Sequence, residues 1–221
     1  MNYRLVLWDF DGTLADTLRN AVEIYNRIAP RHKALPMTDP EEMRGLTTRE
    51  LIKRHRIRCH RFPFLIREFL AEQSRTMPEV KLYDGIEEAV ETLTSAGVRQ
   101  GIVSSNSEAN IRACLQQNQV EEHFEFAVGM RRLFGKKRGL RQALKLAGLS
   151  AGEVLYVGDE TRDIQAARQI AMRIASVTWG VHSQSLLTQH QPDYLITSPG
   201  QLLPIVTAAR ANDSGLGDRR K

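Results

Sequence analysis

The chain has 221 residues, of which 42% are hydrophobic and 26% charged, with a formal net charge of +5. That is enough apolar material for a packed core in one ordinary domain carrying an insertion, or in one large and one small domain. No apolar run approaches the roughly 20 residues of a bilayer-spanning helix, and the opening "MNYRLVLWDFDG" places acids where a secretory leader needs a long apolar stretch. The two cysteines, Cys59 and Cys114, form neither a disulfide framework nor a metal-ligand spacing, and point to a reducing cytoplasm. The positive charge is uneven. Residues 16–84 hold 14 Lys/Arg against 10 Asp/Glu, a net of +4 that leaves +1 for the rest, and it peaks in "KRHRIRCHR" at 53–61. A solvated helix face accounts for such a run, and so does attraction of an anionic partner.

In chain order, strands are expected at 4–8, 100–104, 124–128, 153–158, 173–179 and 193–197, several apolar on both faces as in a buried parallel sheet. Helices separate them. One covers "IEEAVETLTSAG" and ends at Gly97, one starts from the N-cap candidate Ser107, and "KRGLRQALKLAG" and "RDIQAARQIA" fill the next two intervals. This alternation implies right-handed crossovers and an α/β three-layer sandwich with a mostly parallel, Rossmann-like sheet. About 65 residues follow the first strand without another, with helical patterns at 18–29, 40–55 and 63–76. The division expected is a core of 1–15 and 85–209, an all-helical cap of 16–84 inserted after strand one, and a flexible tail of 210–221. Phe62, Phe64 and Phe69 are expected in the cap's own small core. His55 and His60 show no metal-ligand pattern, and Lys145 is expected on an exposed helix face.

Four chemistry-bearing stretches follow predicted strands and should converge on one sheet edge: "DFDGT" (9–13), "SSN" (104–106), "KK" (136–137) and "GDETRD" (158–163). Their carboxylates would raise one another's pKa values. A divalent cation removes that penalty, hard oxygen ligands point to magnesium, and a lysine adds a second positive charge.

These four motifs resemble those of the haloacid dehalogenase-like phosphatases, most of all the phosphoglycolate-phosphatase-like branch with a helical cap, and the resemblance covers nearly the whole chain. "DFDGTLADT" and "GDETRD" carry it most specifically. The resemblance implies a magnesium-dependent phosphomonoester hydrolase of a small phosphorylated metabolite. Asp9 would be the nucleophile forming an aspartyl-phosphate, and Asp11 the general acid and then base. Ser105, with Ser104 as its competitor, would bind a phosphoryl oxygen, and Lys136 would neutralise charge on phosphate and Asp9. Gly12, Thr13 and Asn106 would complete the phosphate surround. Asp9, Asp11 (through its carbonyl), Asp159 and Asp163 would form the Mg2+ site. The family's lysine often precedes proline, and here "FGKKRGL" lacks one, so Lys137 competes with Lys136. "RGLTTREL" resembles the cap stretch facing the active site, which makes Arg44 and Arg49 candidates for a second anionic group.

Other readings are a phosphomutase-type transferase and a nucleic-acid-related phosphatase or binding module using the basic cap. Dehalogenation has no need of Asp11 or a magnesium site, and phosphonate cleavage would need a Schiff-base lysine, for which Lys53 is a poor candidate. The expected protein is a cytoplasmic monomer or homodimer with no membrane partner and no nucleic acid as its main partner.

Overall fold

The computed structural model describes residues 3–38, 48–130 and 135–214. All six expected strands form, at β1 (Leu5–Trp8), β2 (Arg99–Ser104), β3 (Phe126–Gly129), β4 (Val154–Gly158), β5 (Arg173–Val177) and β6 (Tyr194–Ile196). They build one sheet in the order β3-β2-β1-β4-β5-β6, and every pairing between them is parallel. β1 lies centrally and is buried along its whole length. Its alternate side chains feed two cores. Val6 and Trp8 join the apolar layer under α4 (Ile86–Ser95), α5 (Glu108–Gln117) and α9 (Leu202–Ser214). Leu5 and Leu7 join the layer under α6 (Lys136–Ala147), α7 (Thr161–Arg168) and α8 (Gln184–Gln189). This is the three-layer α/β sandwich that the alternating pattern implies.

The helix ends follow the capping signals. Ser107 accepts from the Asn110 N–H at 3.2 Å, and Gly97 takes a left-handed φ of +69° just beyond α4. The strand expected at 173–179 stops at Val177, because Trp179 turns its indole to the carbonyl of Thr13. α9 runs to Ser214, four residues beyond the start, at 210, of the segment expected to be a tail. Lys145 is exposed as expected.

Between β1 and β2 lie α1 (Thr17–Ile28), α2 (Thr48–Arg54) and α3 (Phe62–Thr76). Of the helix expected at 40–55, residues 48–54 are helical and 39–47 fall outside the described residues. Val22, Ile24, Tyr25, Ile28, Ile57 and Leu65 belong to an apolar cluster of their own, with Phe62 and Phe69 packed against it. Phe64 corrects the expectation for the three phenylalanines: it is 58% exposed. Leu65 sets the inward face of α3, and its neighbour Phe64 is turned about 100° away from it. His55 is buried edge-on against the Tyr25 ring at 5.6 Å, and His60 is exposed. The entering and leaving chains of this insertion run side by side, with the Asp16 N–H donating to the Lys81 carbonyl and the Tyr83 N–H to the Leu14 carbonyl. That pairing anchors the insertion at the carboxyl end of β1.

One buried polar pair joins the central strands. Trp8 Nε1 donates to Gln100 Oε1 at 3.0 Å, and Gln100 Nε2 donates to the Val90 carbonyl and Thr94 Oγ1. Gln100→Leu leaves a buried indole N–H without its acceptor, and is expected to cost about 1–3 kcal/mol in urea-unfolding free energy. No measurable change would show that the indole finds another acceptor.

Candidate active site

Each strand of the central pair ends in polar residues because the backbone there leaves the sheet. Beyond β1 the chain tightens into a turn, in which Thr13, Leu14 and Ala15 all donate their N–H groups to the Phe10 carbonyl. Gly12 holds φ +77°, and a Cβ there would stand 2.9 Å from Asp159 Cγ, so only glycine fits. The i, i+2 spacing then separates the tasks of the two aspartates. Asp9 is buried, and one carboxylate oxygen accepts from Lys136 Nζ at 2.5 Å. Asp11 turns the other way, accepting from Asn106 Nδ2 at 3.1 Å and Ser104 Oγ at 3.3 Å, with the Thr17 hydroxyl as a further donor.

From the neighbouring strand β4 come Asp159 and, one turn into α7, Asp163, both fully buried. Lys136 Nζ lies 3.0 Å from Asp163 Oδ1, and Tyr156 donates its hydroxyl to the same oxygen at 3.2 Å. One oxygen each of Asp9, Asp159 and Asp163 lie within 4.8 Å of one another. Burial and crowding together weaken the acidity of these groups. Burial pushes Asp9 up to about 7 against the pull of Lys136, and burial with the neighbouring Asp9 and Asp163 charges pushes Asp159 upward as well. The Asp11 carboxyl is also raised, by burial, despite its three donors. Lys136 is held firmly protonated by Asp163 and Asp9, which outweigh its own desolvation. Three buried carboxylates facing one ammonium leave excess negative charge, and an all-oxygen donor set of this kind fits a hard divalent cation.

The expected site residues thus separate into groups. Asp9, Asp11, Lys136, Asp159 and Asp163 converge on one sheet edge. Ser105 is half-buried at the end of β2 and has no side-chain partner among the described residues, whereas its competitor Ser104 is fully buried with its hydroxyl on Asp11. Asn106 is bonded to Asp11. Thr13 is fully buried and donates to Asp159 Oδ1 at 2.8 Å, so its hydroxyl is not on an open phosphate surface. Lys137 is half-buried and makes none of the contacts that Lys136 makes. Arg44 lies outside the described residues, and so does the side chain of Arg49.

A fifth element was missed by the sequence reading. The turn after β5 folds over Asp159: the Val181 N–H donates to Asp159 Oδ2 at 2.7 Å, Trp179 Nε1 donates to the Thr13 carbonyl at 3.0 Å, and His182 Nδ1 accepts from the Thr161 N–H at 3.0 Å. The "WG" in this turn was the available signal, since a glycine after a strand often marks a close backbone approach. A Cβ at Gly180 would lie 2.5 Å from Asp159 Oδ2.

Comparison with known proteins agrees with this architecture. The sequence profile of the haloacid dehalogenase-like hydrolases matches residues 6–177. A phosphoglycolate phosphatase from Synechococcus elongatus is 32% identical over 204 residues, spanning 91% of this chain and 96% of that one. A pyrophosphatase from Listeria monocytogenes is 27% identical over 213 residues, spanning 91% and 95%. Among solved structures, a haloacid dehalogenase-like family hydrolase from Streptococcus pneumoniae superposes with a TM-score of 0.77 at 19% identity, covering 92% of this chain and 98% of that one. With its carboxylates, lysine and parallel sheet in that arrangement, the chain belongs to the haloacid dehalogenase-like hydrolases.

Proposed function

We propose that this chain, a phosphatase of that family, hydrolyses a small phosphorylated metabolite through a phosphorylated Asp9, with magnesium as its cofactor. The observation that carries the reading is the contrast between the two aspartates of one turn. Asp9 is paired with a buried ammonium, and Asp11 is held apart from it by Ser104, Asn106 and Thr17. A carboxylate oxygen of Asp9 attacks phosphorus, the ester P–O bond breaks, and the leaving oxygen takes the proton of Asp11, whose raised pKa favours that starting form. Asp11 then accepts a proton from water as its oxygen attacks phosphorus; the bond to Asp9 breaks and inorganic phosphate leaves. Lys136 offsets the charge on Asp9 and the transferring oxygens throughout. Ser105, at the strand end, would donate to a phosphoryl oxygen.

Asp9, Asp159 and the main-chain carbonyl of Asp11 would hold the cation, with Asp163 behind them. When bound, it neutralises the clustered carboxylates and the phosphoryl group. Helices α1–α3 act in this reading as a cap of residues 16–84 over the strand ends, with Arg44 and Arg49 as candidates to meet a second anionic group. Among the described residues no helix is long and apolar enough to cross a membrane. Cys59 and Cys114 are free thiols, as suits a cytoplasmic enzyme.

The test is phosphate release from phosphoglycolate, sugar phosphates, nucleotides and pyrophosphate, with magnesium and with EDTA. Turnover that needs magnesium is expected. No release from any of them by folded protein would sink the small-metabolite reading and transfer weight to an oligonucleotide end, toward which the exposed cations of 53–58 would point.

The cation also makes a thermal prediction. Native Asp9 keeps its proton up to about 7, whereas an unfolded aspartate releases it near about 3.9. The metal-free fold therefore loses stability as pH rises between those values. Magnesium replaces the proton, so the rise in melting temperature on adding MgCl2 should be large at pH 8 and slight at pH 5. Equal shifts at both pH values would remove Asp9 from the metal site.

A further inference from the structure

We propose that Thr13 and the turn after β5 make the acidic centre discriminate for a small octahedral divalent cation over a larger one. The inference rests on the metal site read above. Asp159 is the one carboxylate of the three held by neutral donors alone, Thr13 Oγ1 on Oδ1 at 2.8 Å and the Val181 N–H on Oδ2 at 2.7 Å, whereas Asp9 and Asp163 also meet the Lys136 ammonium. Donors on both oxygens fix the carboxylate plane, so it can neither rotate nor slide toward an incoming ion.

The surroundings remove the remaining slack. Gly12 and Gly180 approach Asp159 from opposite turns, each where a Cβ has no room. The two turns are tied to each other by the Trp179 indole on the Thr13 carbonyl, and the second is tied to α7 by His182 on the Thr161 N–H. Asp159 is thus clamped between two backbone segments that are themselves bonded together. Magnesium requires near-ideal octahedral geometry at short distances, whereas calcium takes more ligands, at longer and variable distances, and often a carboxylate in bidentate form. A carboxylate held rigidly in a tight surround suits the first ion and resists the adjustment that the second requires. Thr13 is accordingly a positioning residue for selectivity, acting through Asp159.

The test is isothermal titration of the full chain with MgCl2 alone and with CaCl2 alone, for wild type, Thr13→Val, Thr13→Ser and Trp179→Phe. Thr13→Val keeps the side-chain volume and removes the donor. Its preference for magnesium, taken as the ratio of the two dissociation constants, should fall about tenfold, while Thr13→Ser, which keeps the hydroxyl, stays within about twofold of wild type. Trp179→Phe frees the turn from Thr13 and should shift the ratio in the same direction as Thr13→Val. If Thr13→Val does not fold, the Trp179→Phe ratio carries the comparison by itself. A ratio unchanged in the folded variants, including one in which both ions weaken equally, overturns the proposal. Wild type that binds neither ion overturns the metal reading and this inference with it. Wild type that binds magnesium while the variants keep its ratio overturns this inference alone.

Discussion

Asp9→Asn is expected to lower kcat for every accepted substrate by at least about ten-thousandfold, the scale on which removal of a nucleophile acts. An amide nitrogen or carbonyl at this position has no carboxylate charge to place on phosphorus, and no other described group stands where Asp9 does. The loss should not come from unfolding. Lys136 keeps Asp163 at 3.0 Å, and the substitution removes one of three buried carboxylates that repel one another. Melting temperature without metal should therefore hold or rise at pH 8. Acid quenching during turnover with labelled substrate should trap phosphoprotein in wild type and none in Asp9→Asn. Asp11→Asn should behave differently: its turnover falls by about a hundred- to ten-thousandfold, as expected for a lost proton donor and acceptor. With a good leaving group it should let the phosphoprotein accumulate. Residual activity of Asp9→Asn above about 1% of wild type, far beyond what a lost nucleophile allows, would remove Asp9 from the nucleophile's role.

The contrast between these two aspartates was partly visible in the sequence. "LVLWDFDGT" is conspicuous because an apolar strand has no reason of its own to end in two acids, and "VLYVGDETRD" repeats the event at the last of the four motifs. The sheet order brings these two strand ends together, with β1 and β4 as neighbours. The parallel sheet was legible for the same reason: its strands are buried on both faces and read as continuous apolar runs. Much less legible was what holds the acids in place. Val181 contributes through a backbone N–H, which any residue but proline carries, so the letters of the turn do not mark it. Ser104 and Ser105 are adjacent and chemically identical, and only the end of β2 decides which hydroxyl turns inward to Asp11. Thr13 belongs to the motif, which suggests a phosphate contact, yet its hydroxyl is spent on Asp159. Phe64 was misplaced by a single position on a helix, where one residue is about 100° of rotation. Function in the acidic groups was therefore readable from composition, while positioning, which depends on register and backbone, was not.

The sequence favours Lys136 over Lys137 in "GKKRG" without deciding between them, and that choice yields the second large effect. Lys136 opens α6 with its ammonium buried between Asp9 and Asp163 and 5.7 Å from the centre of the Tyr156 ring. Lys136→Met keeps most of the length and removes the charge. Its kcat should drop by about a hundred- to a thousandfold, since electrostatic support is the main thing that phosphoryl transfer asks of a protein. Without metal, the same change strands buried carboxylates with no ammonium beside them, which should cost about 3–5 kcal/mol of stability at pH 8. Acidification should restore much of it by protonating them, because the native carboxyls hold protons that the unfolded chain has released. Magnesium binding distinguishes this from a collapsed site. The ammonium and the cation compete for the same oxygens, so Lys136→Met should bind magnesium at least as tightly as wild type while turning over far more slowly. Lys137→Met, altering a half-buried side chain with none of these contacts, should leave kcat within about twofold of wild type, as surface changes away from a site usually do. Loss of magnesium binding in Lys136→Met would mean that the lysine supports the site's shape more than its charge balance. An equal loss of activity in Lys137→Met would transfer the phosphate-facing role to that neighbour.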